Sequence, residues 1–132
     1  MTLVVDASVV VAALIDGGVD GLWAESVLLT DALAAPHLMP IEVANILRRA
    51  AMAGSISDES ARMAHDDLLA LRVRLHPYAL LAPRAWELRR NVTVYDGCYI
   101  ALAEALSAPL VTLDKKLARA PGPRCEFRMR VP

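Results

Sequence analysis

Two aspartates in this sequence each follow a short apolar run. Asp6 comes directly after Leu3-Val4-Val5, and Asp114 comes two residues after Leu110-Val111-Thr112. Both runs read as buried strands, and in open α/β sheets ligands collect at the carboxyl ends of the strands. A carboxylate at such a junction is costly beside apolar neighbours unless something pairs with it. Capping the next helix is a sufficient role for either Asp taken alone; the pair together points to a site. Two more acids join them. Glu42 lies on a helix whose apolar stripe is Val43, Ile46, Leu47 and Ala50, and Glu42, Asn45 and Arg49 follow one edge of that stripe. Asp96 opens a helix that is small and apolar on most sides, from Cys98 to Leu106, so it stands at the edge of the core. For Glu42 and Asp96 the alternative is again a first-turn acid favoured by the helix dipole.

Four carboxylates brought together, with no Lys or Arg within three positions of Asp6 or Asp96, repel one another. A divalent cation relieves that repulsion. An all-oxygen donor set without His or Cys selects Mg²⁺ or Mn²⁺ over zinc. Such an ion lowers the pKa of a bound water and clamps a phosphoryl oxygen, so phosphodiester hydrolysis is the reaction class indicated.

The elements that must position these acids are legible from pattern. Thr2–Val5, Val73–Leu75 and Leu110–Thr112 read as strands, and Cys125–Val131 alternates as an edge strand. Helices are expected over Ala7–Ile15, Gly21–Ala32, Leu38–Ala53, Ser57–Leu71, Ala79–Arg90 and Tyr95–Ser107. Pro40 suits a first turn, Gly54 ends its helix, and Ser57 caps the next one. Strands alternating with helices predict a single α/β domain over residues 1–132 with a mostly parallel sheet.

Composition narrows the function classes. Net charge is −1, which is not that of a nonspecific nucleic-acid binder, but the distribution is uneven. Residues 1–47 hold six acids and no Lys or Arg. From Lys115 onward there are six basic residues against Glu126 alone. An acidic body with a basic end suits a site that holds cations centrally and phosphates at its rim, although a solvated basic tail gives the same count. The two cysteines have no metal-type spacing, and the three histidines are isolated. The longest nearly apolar stretch, Ala7–Ile15, is far short of the ~20 residues a membrane span needs. No basic n-region precedes it, so a cytoplasmic protein without a signal peptide is expected. A receiver-type signalling domain would need an acidic pair after its first strand, and a haloacid-dehalogenase phosphatase a second Asp where Ser8 stands. A catalytically idle α/β module that only binds protein is the remaining alternative.

Four segments resemble the PIN-domain ribonucleases, specifically the VapC-type toxins of prokaryotic toxin–antitoxin pairs. They are Val4-Val5-Asp6-Ala7-Ser8, Pro40-Ile41-Glu42-Val43-Ala44-Asn45, the run Asp96–Glu104, and the run Leu110–Leu117. The resemblance implies a Rossmann-like three-layer sandwich: a central, mostly parallel sheet flanked by helices. It implies a metal site of Asp6, Glu42, Asp96 and Asp114 holding Mg²⁺ (or Mn²⁺), with Ser8 and Thr112 as supporting hydroxyls. It further implies structured RNA as substrate, tRNA first, a homodimer, and an antitoxin laid in an apolar groove, one arginine of which would neutralise the acids. Arg48, Arg49, Lys115, Lys116 and Arg119 flank the site acids and are the candidate phosphate contacts. Leu22, Trp23, Val27 and Leu28, with Met63, Leu68, Leu69 and Tyr78 from the stretch Met52–Leu81, include the candidate partner-facing apolar residues. Two departures stand out. Ser107-Ala108-Pro109 replaces a Gly common before the fourth strand. Lys115-Lys116 follows the last Asp where some relatives carry another acid, which leaves the metal count at one or two.

Overall fold

Val- and Leu-rich runs leave water only if their backbone groups are paired, and a parallel sheet covered on both faces does this. The computed structural model, which describes residues 1–132, builds such a sheet. Its strands are β1 (Thr2–Val5), β2 (Ala32–Pro36), β3 (Val73–His76), β4 (Leu110–Val111) and β5 (Phe127–Arg128). They lie in the order β3-β2-β1-β4-β5, and every pairing is parallel. The expected adjacency of the first and fourth strands is present, with Val4 opposite Leu110 and Val5 opposite Val111.

Seven helices connect the strands: α1 (Ala7–Ile15), α2 (Val19–Thr30), α3 (Leu38–Met52), α4 (Asp58–Ala70), α5 (Tyr78–Glu87), α6 (Val94–Leu106) and the short α7 (Lys115–Ala118). Helices α1–α4 pack among themselves, while α5 and α6 pack together and α6 lies against β1, β2 and β4. Right-handed crossovers place the two groups on opposite faces of the sheet. The result is the three-layer sandwich. No single helix is long and apolar enough to cross a membrane.

Two close approaches involve glycine, and the first requires it. A Cβ on Gly21 would stand 1.7 Å from the Asp16 carbonyl oxygen, so only Gly lets α2 turn back against α1. A Cβ on Gly97 would stand 3.1 Å from the Ala85 carbonyl oxygen, so Gly97 sets how near the first turn of α6 comes to α5.

The structure corrects several boundaries. β2 was not expected, and the helix predicted to run to Ala32 stops at Thr30. Ala32-Leu33-Ala34-Ala35-Pro36 has no β-branched or aromatic residue, so nothing local marks a strand. Burial decides it instead, because Ala34 and Ala35 are wholly inside the sheet's covering layers. The last strand shrinks from Cys125–Val131 to Phe127–Arg128. Of the apolar residues expected to face a partner, Leu22, Met63, Leu69 and Tyr78 are exposed. Val27 and Leu68 lie in the core, and Trp23 and Leu28 pack against it.

Candidate active site

The chain crosses from one side of β1 to the other between β3 and β4, so the sheet's topological switch point lies between β1 and β4. Ligands bind at such a point, outside the carboxyl ends of the strands. Asp6 and Asp114 sit there, one after each strand. Asp6 is 6% exposed and caps α1, its Oδ1 accepting from the Val9 amide at 3.2 Å. Asp114 is exposed and caps α7, its Oδ1 accepting from the amides of Lys116 and Leu117. Both strand-end acids are therefore helix caps as well as candidate ligands.

Two hydroxyls clasp the junctions together. Ser8 Oγ donates to Asp6 Oδ1 at 2.5 Å and accepts from the Leu113 amide at 3.1 Å. Thr112 Oγ1, fully buried, donates to Asp6 Oδ2 at 2.5 Å and accepts from the Asp114 amide at 2.9 Å. Each hydroxyl is used as donor and acceptor, so the clasp fixes both the Asp6 carboxylate and the backbone that carries Asp114.

Glu42 comes from the second turn of α3 and is half-buried. Its Oε1 accepts from the Tyr99 hydroxyl at 2.7 Å, a bond that ties α3 to α6. The sequence reading gave Tyr99 no role. The signal was present: Asp96 and Tyr99 are three residues apart and share one face of α6. Asp96 does not open that helix. Thr93 caps it, accepting from the Asp96 amide at 3.1 Å, and Asp96 stands two residues inside. The spacing is that of a capping box with Asp in the place of Glu.

Asp96 is the electrostatic centre of the group. Burial raises the pKa of Asp6, against hydrogen bonds from Ser8, Thr112 and Val9, and the charge of Asp96 raises it further. Burial also raises Glu42, opposed by Tyr99, and Asp96 again adds. Asp96 is itself raised by burial and then by the charge of Asp114. No Lys or Arg forms an ion pair with any of the four. Arg48, Arg49, Lys115, Lys116 and Arg119 are exposed and likewise form none.

The acids form an electrostatic cluster and not a ready-made cage: no three acids, histidines or cysteines lie close enough to share one ion. An oxygen-only, uncompensated set of carboxylates suits a hard divalent cation that keeps several of its own waters.

Comparison with known proteins decides the family. The PIN-domain model matches residues 3–123. Ribonuclease VapC1 of Mycobacterium tuberculosis is 44% identical over 127 residues, 96% of each chain. The chain belongs to the PIN-domain family, among its VapC ribonucleases. VapC ribonuclease Mb0985 of Mycobacterium bovis is 37% identical over 123 residues, 93% of this chain and 94% of that one. The structure of VapBC2 from Rickettsia felis, bound to a DNA fragment from its promoter, superposes with a TM-score of 0.71 at 18% identity. The match covers 99% of this chain and 100% of that one. At that identity the likeness speaks for the VapC fold alone. With the VapC family comes its activity, endoribonucleolytic cleavage by the toxin of a toxin–antitoxin pair.

Proposed function

We propose that this VapC-family chain hydrolyses RNA phosphodiester bonds with Mg²⁺, or Mn²⁺ in its place, held by Asp6, Glu42, Asp96 and Asp114. The observation that carries the reading is the coupling of Asp96 to the other three acids with no cation paired to any of them. When bound, the divalent ion supplies an activated water and neutralises charge on the phosphoryl oxygens. Asp6 is held rigid by Ser8 and Thr112, so its position does not drift when substrate enters. Tyr99 does the same for Glu42 from the opposite helical layer. Asp114 is pinned through Oδ1 by the amides of Lys116 and Leu117, which leaves Oδ2 to face the ion, and the Asp96 carboxylate is the freest of the four to adjust to the ion and the phosphate. Arg48, Arg49, Lys115, Lys116 and Arg119 attract the RNA backbone from the rim, and structured RNA such as tRNA is the expected substrate. A cognate antitoxin and a second copy of the chain cover the exposed apolar residues, and the pair acts in the cytoplasm.

The test is cleavage of total cellular RNA by purified protein with Mg²⁺, with excess EDTA, and by Asp96→Asn. Cleavage lost in both of the last two supports the assignment. Full activity of Asp96→Asn, free of wild-type protein, overturns it, and an inactive wild type returns the chain to an idle binding module.

A further inference from the structure

Beside the acids lies a small apolar cleft of about 220 Å³ that no step above uses. Pro36, His37 and Leu38 line it with Tyr78, Val94, Tyr95 and Cys98. The two tyrosines are large aromatic groups left half or more in water, at 50% and 64% exposure. The volume is below the ~300–1,000 Å³ of pockets for drug-sized ligands. It suits one planar ring.

Its place in the fold says which ring. Val94, Tyr95 and Cys98 share the first turns of α6 with Asp96, and Tyr95 is the residue directly before it. His37 and Leu38 head α3, one turn ahead of Glu42. The cleft thus sits between the leading turns of the two helices that carry Glu42 and Asp96, although none of the four acids lines it. An RNA held at Glu42 and Asp96 would pass the leading turns of these same helices, where the cleft opens. Single-stranded RNA is read by bases splayed from the stack onto aromatic side chains. The wall carries no Lys or Arg, so a phosphate is not the group it takes.

We propose that this cleft receives one unstacked nucleobase next to the scissile phosphate, stacked on Tyr95 and Tyr78. The proposal rests on the nuclease reading of the adjoining acids. It makes the preferred substrate a loop or other single-stranded segment, because a paired base cannot leave the duplex without an unpairing cost.

The test uses a single-stranded RNA oligonucleotide spanning the mapped cut, with the full chain and Mg²⁺. Tyr95→Ala and Tyr78→Ala are compared with Tyr95→Phe and Tyr78→Phe, which keep the ring and lose only the hydroxyl. Loss of one stacking partner should weaken binding, read as KM, by about 5- to 100-fold in the Ala variants, with Phe close to wild type. A matching oligonucleotide with one abasic residue beside the cut should bind wild type equally poorly and lose nothing further in Tyr95→Ala. Wild type that cleaves, with Ala variants of unchanged KM, overturns the cleft and leaves the nuclease reading standing. Wild type that does not cleave removes the nuclease reading itself. Ala variants that keep their RNA affinity but become monomeric, or lose the antitoxin, assign the cleft to a protein and also overturn the proposal.

Discussion

Thr112→Val tests the clasp with almost no change of volume. Thr112 is fully buried, so its hydroxyl has no water to fall back on. Removing the donor forfeits a hydrogen bond to a charged acceptor, about 1.5–3 kcal/mol. The Asp114 amide, 2.9 Å from the same hydroxyl, loses its acceptor at about 1–3 kcal/mol when left unsatisfied. The two losses share one side chain and do not add fully, so a net destabilisation of about 2–4 kcal/mol is expected. At roughly 3–5 °C per kcal/mol for a chain of this size, Tm falls by about 6–20 °C. Thr112→Ser is the control. It keeps the hydroxyl and deletes one methyl, for about 1 kcal/mol. Thermal and urea unfolding should rank wild type above Ser and Ser above Val, and RNA cleavage should follow the same order. A Val variant as stable as wild type, or more stable than Ser, would refute the argument that the hydroxyl joins the two strand ends.

Three further outcomes are expected. Tyr99→Phe releases Glu42 Oε1 from a 2.7 Å bond and should cost about 1–2 kcal/mol, because water reaches the half-buried carboxylate; an unchanged Tm with unchanged cleavage would sink Tyr99 as the residue that positions Glu42. Burial alone would raise Glu104, but hydrogen bonds from Arg84 and the Arg124 amide, with the charge of Arg84, hold its carboxyl below the usual range. Its stabilisation is therefore full above the unfolded value and is lost as pH falls through the lower folded one, so the stability gap to Glu104→Gln should close in acid. Ser107 ends α6 at φ +50°, ψ +41°, the left-handed region that favours glycine. Ser107→Gly should gain about 0.5–1 kcal/mol in urea unfolding, and a loss would contradict the strain argument.

The strand-end acids were legible because their signal is local. Leu3-Val4-Val5 and Leu110-Val111-Thr112 must be buried, so the Asp after each must stand at a sheet edge. The departure at Ser107-Ala108-Pro109 was also local, and the backbone there takes the shape a glycine would take. β2 was hidden because Ala-rich chain carries no strand preference of its own, and the two neighbouring strands impose it. The Tyr99–Glu42 bond was hidden for another reason: 57 residues separate the partners, and only the packing of α3 and α6 around the sheet edge brings them together. The hub in which Arg84 binds Glu104, Glu87 and the Gly122 carbonyl was invisible likewise, since it joins α5, α6 and the loop before β5. At Asp96 the cue was present and misplaced, because Thr93, not Asp96, caps the helix.

The cluster sets stability against function in a way that one variant separates. Burial and the charge of Asp114 both disfavour ionised Asp96, so its folded pKa lies above its unfolded one. For an acid that sign means the charge weakens the fold at neutral pH, and the penalty fades as pH falls and the group protonates. Asp96→Asn keeps the shape and removes the charge, and it also lowers the burden on Asp6 and Glu42, both raised by Asp96. In EDTA the variant should therefore melt above wild type. A ligand that binds only the native state stabilises it by about 2.7 kcal/mol at a hundred times its Kd. Adding Mg²⁺ should raise the Tm of wild type and barely move that of Asp96→Asn, so the difference between them narrows or reverses. This measurement needs no RNA and reads the ion through the fold. A variant that melts below wild type in EDTA would mean the acids are mutually supported by hydrogen bonds and not strained by charge. Equal Mg²⁺ responses in the two proteins would take Asp96 out of the metal site.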